Sequence, residues 1–216
     1  MNTDSARRQM VEQQIRPWAV SDANVLRAFD YVPRDLFVPA NCTNVAYADA
    51  EIPLPHGQCM LRPSIEGRMV QSLEIQPYDY VLEIGTGTGY LTACLARNAG
   101  HVVSIDLFED FTARALTNLA SVEVDNVTIR CMDAMNELPT GQFDAIAVSG
   151  SIDRLDDRFV SALKPGGRLF VVVGESPAKS ALLVKRAAVG VIEIRELFET
   201  DIPALITTKK STDFRF

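Results

Sequence analysis

The sequence is poor in the residues that build metal sites and disulfide frameworks. It has four cysteines and two histidines among 216 residues, and no two cysteines form a C-x-x-C pair. Structural zinc sites need clustered cysteine or histidine ligands, so we expect no metal site. We expect the cysteines to be reduced, and Cys94 and Cys131 to be buried, because both fall in apolar-periodic segments.

Long apolar runs, an apolar leader and basic runs are missing as well. The longest apolar stretch, residues 169–173, is far too short to cross a bilayer, and the first residues lack a signal-peptide core. The net charge is -7, from 28 acidic and 21 basic residues, and this charge repels a phosphate backbone. We therefore expect a cytoplasmic protein that binds neither a membrane nor a nucleic acid. Its oligomeric state is left open.

What the sequence does contain is enough apolar residues, 47% of the chain, for a sizeable core. We predict a single domain over residues 1–216, with a helical N-terminal region (1–75) followed by a sheet region (76–216). In the first region, helix boundaries are predicted at Pro17, which ends one helix, at Ser21, which caps the next, and at Pro63, which begins a third.

From residue 79 onward, short apolar strands alternate with helical patterns, which is typical of a parallel, doubly wound sheet. We therefore predict an α/β, Rossmann-like fold whose sheet is mostly parallel and carries an N-terminal helical addition. Strands are predicted at 81–84, 102–105, 127–131, 143–148 and 168–173, with later strands at 181–187, 191–197 and 204–208, and a short helix spans Leu155, Phe159 and Leu163.

The most informative segment is V-L-E-I-G-T-G-T-G-Y, residues 81–90, because a G-x-G-x-G loop here follows a strand and precedes a helix. Dinucleotide-binding loops usually read G-x-G-x-x-G and place a pyrophosphate on the helix N-terminus. The tighter spacing and the acid Glu83, two residues before Gly85, argue against pyrophosphate. A carboxylate at this position suits a ligand with an ammonium group, such as S-adenosylmethionine.

Three acids fall at the ends of three successive strands and are predicted to meet at one edge of the sheet. Glu83 lies at the end of the first strand. Asp106 ends the second, where it can bind ribose hydroxyls, and Asp133 follows the third, where it can meet the adenine amino group. The complete predicted cofactor site consists of Glu83, Gly85, Thr86, Gly87, Gly89, Asp106, Leu107, Asp133, Ala134 and Ser149.

Several segments beyond the glycine loop resemble the protein-L-isoaspartate O-methyltransferase family. They are M-V-E-Q-Q-I (10–15), V-P-R-D-L-F-V-P (32–39), A-Y-A-D (46–49) with Pro53-Leu54, and L-K-P-G-G-R-L (163–169). The resemblance implies a class I methyltransferase fold, S-adenosylmethionine as cofactor, and the free α-carboxylate of an isoaspartyl residue in an aged protein as the methyl acceptor. It implies a protein-repair role.

The chain departs from the family pattern where the resemblance places the protein substrate. Residues 57–63 read G-Q-C-M-L-R-P, so Leu61 aligns with a family serine whose hydroxyl lies near the substrate carboxylate. Loss of a hydrogen bond to a charged group costs about 1.5–3 kcal/mol, or roughly ten- to a hundredfold in rate. The C-terminal residues 212–216 also lack the family's usual ending.

Three functional hypotheses follow from these patterns. The first is isoaspartyl methylation, with Arg62 beside Leu61 as a group that could hold the acceptor. The second is methylation of another acceptor, either a small molecule or another protein group. The third is a binding protein for S-adenosylmethionine that transfers nothing. A carboxylate is already ionised at neutral pH, so the first reaction requires no general base.

Overall fold

The N-terminal region is helical in the computed structural model, which describes residues 3–188 and 190–208. Helix α1 (Thr3–Met10) continues without a break into a π turn (Val11–Ile15) and a 3-10 turn (Arg16–Trp18). The predicted stop at Pro17 is confirmed to within one residue, because the helical run ends at Trp18 and Ala19 has a left-handed backbone. This proline lies in the first positions of the 3-10 turn, where a backbone N–H has no helical partner to lose.

Helix α2 (Ala23–Tyr31) begins one residue later than predicted. Its N-cap is Asp22, whose side chain accepts hydrogen bonds from the backbone N–H groups of Asn24 and Val25, and not Ser21. Helix α3 (Pro63–Ser72) begins with Pro63, as predicted. Between α2 and α3 lie 3-10 turns at Arg34–Leu36, Ala40–Val45 and Pro55–Gly57 and a small hairpin of β1 (Ile52–Pro53) and β2 (Cys59–Met60).

The rest of the described chain forms a seven-stranded sheet with helices on its faces. Its strands are β3 (Tyr80–Ile84), β4 (His101–Asp106), β5 (Val127–Cys131), β6 (Phe143–Ile152), β7 (Leu163–Glu175), β8 (Ala178–Ala188) and β9 (Val191–Glu199). The helices between them are α4 (Tyr90–Ala96), α5 (Glu109–Ser121) and α6 (Asp157–Ser161).

The strand order is β5-β4-β3-β6-β7-β8-β9, and the first five of these strands are parallel while β8 and β9 are antiparallel. The chain moves outward from β3 on both sides, so the carboxyl ends of β3, β4 and β6 surround a topological switch point. This is the predicted α/β, Rossmann-like, mostly parallel sheet with an N-terminal helical addition.

Alternate residues of the strands enter two separate apolar cores. Val81 and Val102 pack with the N-terminal helices on one face, whereas Leu82 and Val103 belong to a cluster on the other face that includes α6. The period-2 alternation of strands explains this division.

Three local predictions need correction. Residues 204–208 form no strand, since Pro203 lacks an N–H and only Ala204 makes an isolated bridge to Ser151. Helix α6 is shorter than predicted, with Leu155 before it and Leu163 already in β7. Cys131 is exposed because β5 is an edge strand, whereas Cys94 is buried as expected.

No described helix is long and apolar enough to cross a bilayer. Residues 212–216 lie outside the described part of the chain.

Candidate active site

A cleft opens at the carboxyl ends of the central parallel strands. This edge is where open α/β sheets bind their ligands. Six of the predicted cofactor residues line the cleft, namely Gly85, Gly87, Asp106, Leu107, Ala134 and Ser149. Four predicted cofactor residues do not line it, namely Glu83, Thr86, Gly89 and Asp133.

Two glycines shape the floor of this cleft. Gly85 has φ +97°, and a Cβ there would lie 2.3 Å from Ser149 Oγ. The Ser149 hydroxyl is itself hydrogen-bonded to the carbonyl oxygens of Ile84 (2.9 Å) and Gly85 (2.8 Å). Gly87 has φ +53°, and a Cβ there would lie 3.7 Å from Leu54 Cδ1, an ordinary contact distance. Gly89 serves packing, because a Cβ at this position would lie 3.1 Å from Ala115 Cβ in α5.

Asp106 fixes the loop from the end of β4. Its carboxylate accepts hydrogen bonds from the backbone N–H groups of Gly87 (2.8 Å) and Phe108 (3.0 Å). Burial raises the pKa of Asp106, and the hydrogen bond from Gly87 opposes that rise. Carboxylate oxygens have further lone pairs, so the group can still accept hydrogen bonds from hydroxyls of a ligand in the cleft.

Glu83 lies beneath the glycine loop and is fully buried. One of its oxygens, Oε2, accepts hydrogen bonds from the hydroxyls of Thr92 (2.5 Å) and Ser104 (2.6 Å), and Ser104 also contacts the Thr86 hydroxyl at 2.6 Å. The other oxygen, Oε1, has no hydrogen-bond partner among the described residues. Burial raises the pKa of Glu83 to about 8, although the two hydroxyls oppose it. The supporting hydroxyls were not predicted, since they come from a helix and a neighbouring strand.

Asp133 does not line the cleft, and its carboxylate has other partners. It accepts hydrogen bonds from the hydroxyls of Thr207 and Thr208 and from the Thr208 N–H, at 2.7–3.0 Å, and from Met135 N and Asn136 Nδ2. Partial burial alone would raise its pKa, but these donors, Thr208 foremost, hold the pKa of Asp133 below its usual value. The contact of Asp133 with adenine stays a prediction. Asp133 anchors residues 207–208.

The walls of the cleft are apolar residues that the sequence did not reveal. Phe108, Phe111, Met132 and Met135 come from the segments that follow β4 and β5, while Leu54, Leu205 and Ile206 come from distant parts of the chain. For the residues that follow β4 and β5, the only indication in the sequence was their position after a strand end. Among the described residues no group of three potential metal ligands lies together.

A strap, defined as residues 54–59, crosses the cleft from the N-terminal region. Leu54, Gln58 and Cys59 contribute to the cleft lining. His56 stacks on Phe108 with ring centroids 4.0 Å apart and lies 3.1 Å from the Asp110 carboxylate. The strap therefore joins the N-terminal region to the segment that follows β4.

A second cavity adjoins the cleft and is named the acceptor cavity. It shares five lining residues with the cleft, and its other lining residues are Met60, Leu61, Glu66, Thr86, Thr88, Tyr90 and Leu91. Leu61 is buried and lines the acceptor cavity. Arg62, the predicted partner of the acceptor, lines neither cavity and is half-buried at the N-terminus of α3.

This geometry can now be compared with known proteins. The family model for protein-L-isoaspartate(D-aspartate) O-methyltransferase matches residues 5–208. The chain belongs to this family. The resemblance found in the sequence is confirmed, and with it the activity class of a protein-L-isoaspartate O-methyltransferase.

Curated relatives agree over most of their length. A protein-L-isoaspartate O-methyltransferase from Methanoculleus marisnigri is 39% identical over 191 residues, covering 86% of this chain and 87% of that protein. The enzyme of the same name from Pelotomaculum thermopropionicum is 34% identical over 197 residues, covering 91% of this chain and 86% of that protein.

Solved structures show the same fold. A protein-L-isoaspartate O-methyltransferase from Plasmodium falciparum, solved with S-adenosyl-L-homocysteine, has a TM-score of 0.79 at 21% identity, covering 93% of this chain and 98% of that one. A second structure with that enzyme name has a TM-score of 0.78 at 24% identity, covering 91% of this chain and 65% of that one. The predicted fold class is thereby confirmed.

Proposed function

We propose that this protein transfers the methyl group of S-adenosylmethionine to the free α-carboxylate of isoaspartyl residues in proteins or peptides. The observation that carries this proposal is the pair of adjoining cavities in a member of this family. The cleft is built from the glycine loop and Asp106, and the acceptor cavity shares the glycine loop with it.

The chemistry of the cleft fits S-adenosylmethionine. Gly85 and Gly87 leave room for a ligand to approach the backbone, and Asp106 supplies acceptors for ribose hydroxyls. Phe108 and Met135 provide apolar walls for the adenine base of the ligand. The Glu83 oxygen without a partner lies beneath the loop, where a buried carboxylate would balance the ammonium charge of the ligand.

The chain's contribution to the reaction is positioning and the exclusion of water. When held by the glycine loop and Asp106, S-adenosylmethionine would supply a sulfonium methyl group for transfer to an acceptor oxygen. The acceptor oxygen must be held about 3–3.5 Å from the methyl carbon. Leu54 and Leu61 exclude water from the junction of the two cavities, which strengthens the attraction between opposite charges there.

Methyl transfer to defined peptides tests this proposal. Labelled S-adenosylmethionine is incubated with the protein and an isoaspartyl peptide, and the matched aspartyl peptide is the control. Labelling of the isoaspartyl peptide alone is the expected result. No labelling by a protein that still binds S-adenosylhomocysteine would refute isoaspartyl as the acceptor and direct the search to other protein groups or small molecules.

A further inference from the structure

The acceptor cavity of this chain lacks the serine hydroxyl of the family, so another group must hold the acceptor. Of its described lining residues, Glu66 alone carries a carboxyl group. The hydroxyls of Thr86 and Ser149 are already bonded to Ser104 and to backbone carbonyls. The structure thus places one buried acid beside the position where a carboxylate acceptor must enter.

Glu66 is paired with a fully buried arginine. Arg34 Nη1 lies 2.5 Å from Glu66 Oε2, and the second nitrogen, Nη2, donates to the Leu61 carbonyl oxygen at 2.6 Å. Its guanidinium carbon also lies 4.5 Å from the centroid of the Tyr90 ring. Arg34 therefore fixes the backbone of Leu61 and carries the single positive charge of this cluster.

An acceptor carboxylate that enters this cavity adds a second negative charge beside one arginine. Two carboxylates that share a desolvated site cannot both remain ionised, and one of them takes up a proton. The acid and the carboxylate then share that proton, and the cluster remains neutral with Arg34. A protonated acid is also a hydrogen-bond donor, as a serine hydroxyl is.

We propose that Glu66 binds the acceptor carboxylate by sharing one proton with it, and so replaces the serine hydroxyl that Leu61 lacks. This inference rests on the proposed function. Glu66 keeps the proton throughout, so the methyl transfer itself is unchanged. Glu66 is thus a residue that binds the substrate and not a general base.

The surroundings of Glu66 make the proton available near neutral pH. Burial raises the pKa of Glu66 to about 7, and the attraction of Arg34 offsets only part of this rise. The neighbouring Cys59 thiol remains protonated, because burial raises its pKa to about 12. The titratable and charged groups that face Glu66 from the surrounding elements are Arg34, Asp49, Cys59, Glu83, Tyr90 and Cys94.

The first test measures proton uptake by the unmodified protein. Binding of an isoaspartyl peptide to the protein with S-adenosylhomocysteine is followed by calorimetry in two buffers that differ in ionisation enthalpy. We expect uptake of about one proton per peptide at pH 8 and almost none at pH 5.5. Binding at pH 8 without proton uptake would overturn the proposal, and this result does not depend on any variant folding.

The second test is the pH dependence of Glu66→Gln. In the unmodified protein, KM for the isoaspartyl peptide should rise about tenfold per pH unit above 7, while kcat stays flat. The amide of the variant donates a hydrogen bond at every pH, so its KM should not change between pH 6 and 8. The matched control is Glu193→Gln, which removes an exposed carboxylate of β9 that lines neither cavity and should keep the alkaline rise.

The possible outcomes separate this inference from the proposed function. An unmodified protein that methylates no isoaspartyl peptide refutes both. An active protein whose alkaline rise persists in Glu66→Gln refutes only the role of Glu66. Loss of peptide binding in Tyr90→Phe, with Glu66→Gln unaffected, would assign the donor to the buried Tyr90 hydroxyl, since Tyr90 also lines the acceptor cavity.

Discussion

Replacement of Gly85 by alanine tests the geometry of the cofactor loop. The backbone φ of +97° costs a residue with a Cβ at least about 1–2 kcal/mol. The new Cβ would also lie 2.3 Å from Ser149 Oγ, which must move and give up its hydrogen bonds to the Ile84 and Gly85 carbonyls. The hydroxyl has one proton, which the two carbonyls share, so the loss of this hydrogen bond costs about 1 kcal/mol. We therefore expect Gly85→Ala to lower the free energy of unfolding by about 3 kcal/mol.

Thermal unfolding and a double-mutant cycle measure this effect. A loss of about 3 kcal/mol corresponds to a fall in Tm of about 6–12 °C for a chain of this size. Ser149→Ala removes the oxygen and leaves its Cβ at an ordinary 3.6 Å from the new methyl group. The double variant should therefore be about 1 kcal/mol more stable than additivity predicts. An unchanged Tm in Gly85→Ala, or strict additivity, would refute the reasoning.

Three further predictions concern other parts of the site. Burial raises the pKa of Glu83 to about 8, so the stability that this group contributes is complete below its unfolded pKa and is lost as pH rises through 8. Glu83→Gln should therefore flatten the fall in unfolding free energy between pH 5.5 and 9. An unchanged slope in chemical denaturation would contradict this. Asp133→Ala should release residues 207–208, seen as faster hydrogen exchange at the Thr208 N–H, whereas equal protection would show that other contacts anchor them. His56→Ala should speed dissociation of S-adenosylhomocysteine up to about fivefold by loosening the strap, and a rate matching the unmodified protein would exclude that role.

Much of the fold was predictable because local patterns carry it. The sheet strands at 81–84 and 102–105 are apolar runs between turn signals, and the structure confirms them with slightly wider bounds. The ends of elements were less certain, since they depend on competing caps. Asp22 replaced the predicted cap Ser21 because its carboxylate reaches two backbone N–H groups.

The site was predictable only where the chain itself places residues together. Gly85, Gly87 and Asp106 could be assigned because a strand end and the loop after it fix their positions. The hydrogen bonds that Asp133 accepts from residues 207–208, far along the chain, could not be predicted from the sequence. No pattern near Asp133 indicates this partner.

The sequence alone determined the family, the fold class and the absence of a serine at residue 61, since each of these is written in local order and spacing. Only the tertiary structure decided that Glu66 and Arg34 meet beside Leu61, and that Glu83 lies beneath the glycine loop rather than in the cleft. Glu66 and Arg34 are 32 residues apart, and their contact depends on how α3 packs. Burial and charge pairing are properties of packing, so residue identity alone does not specify them.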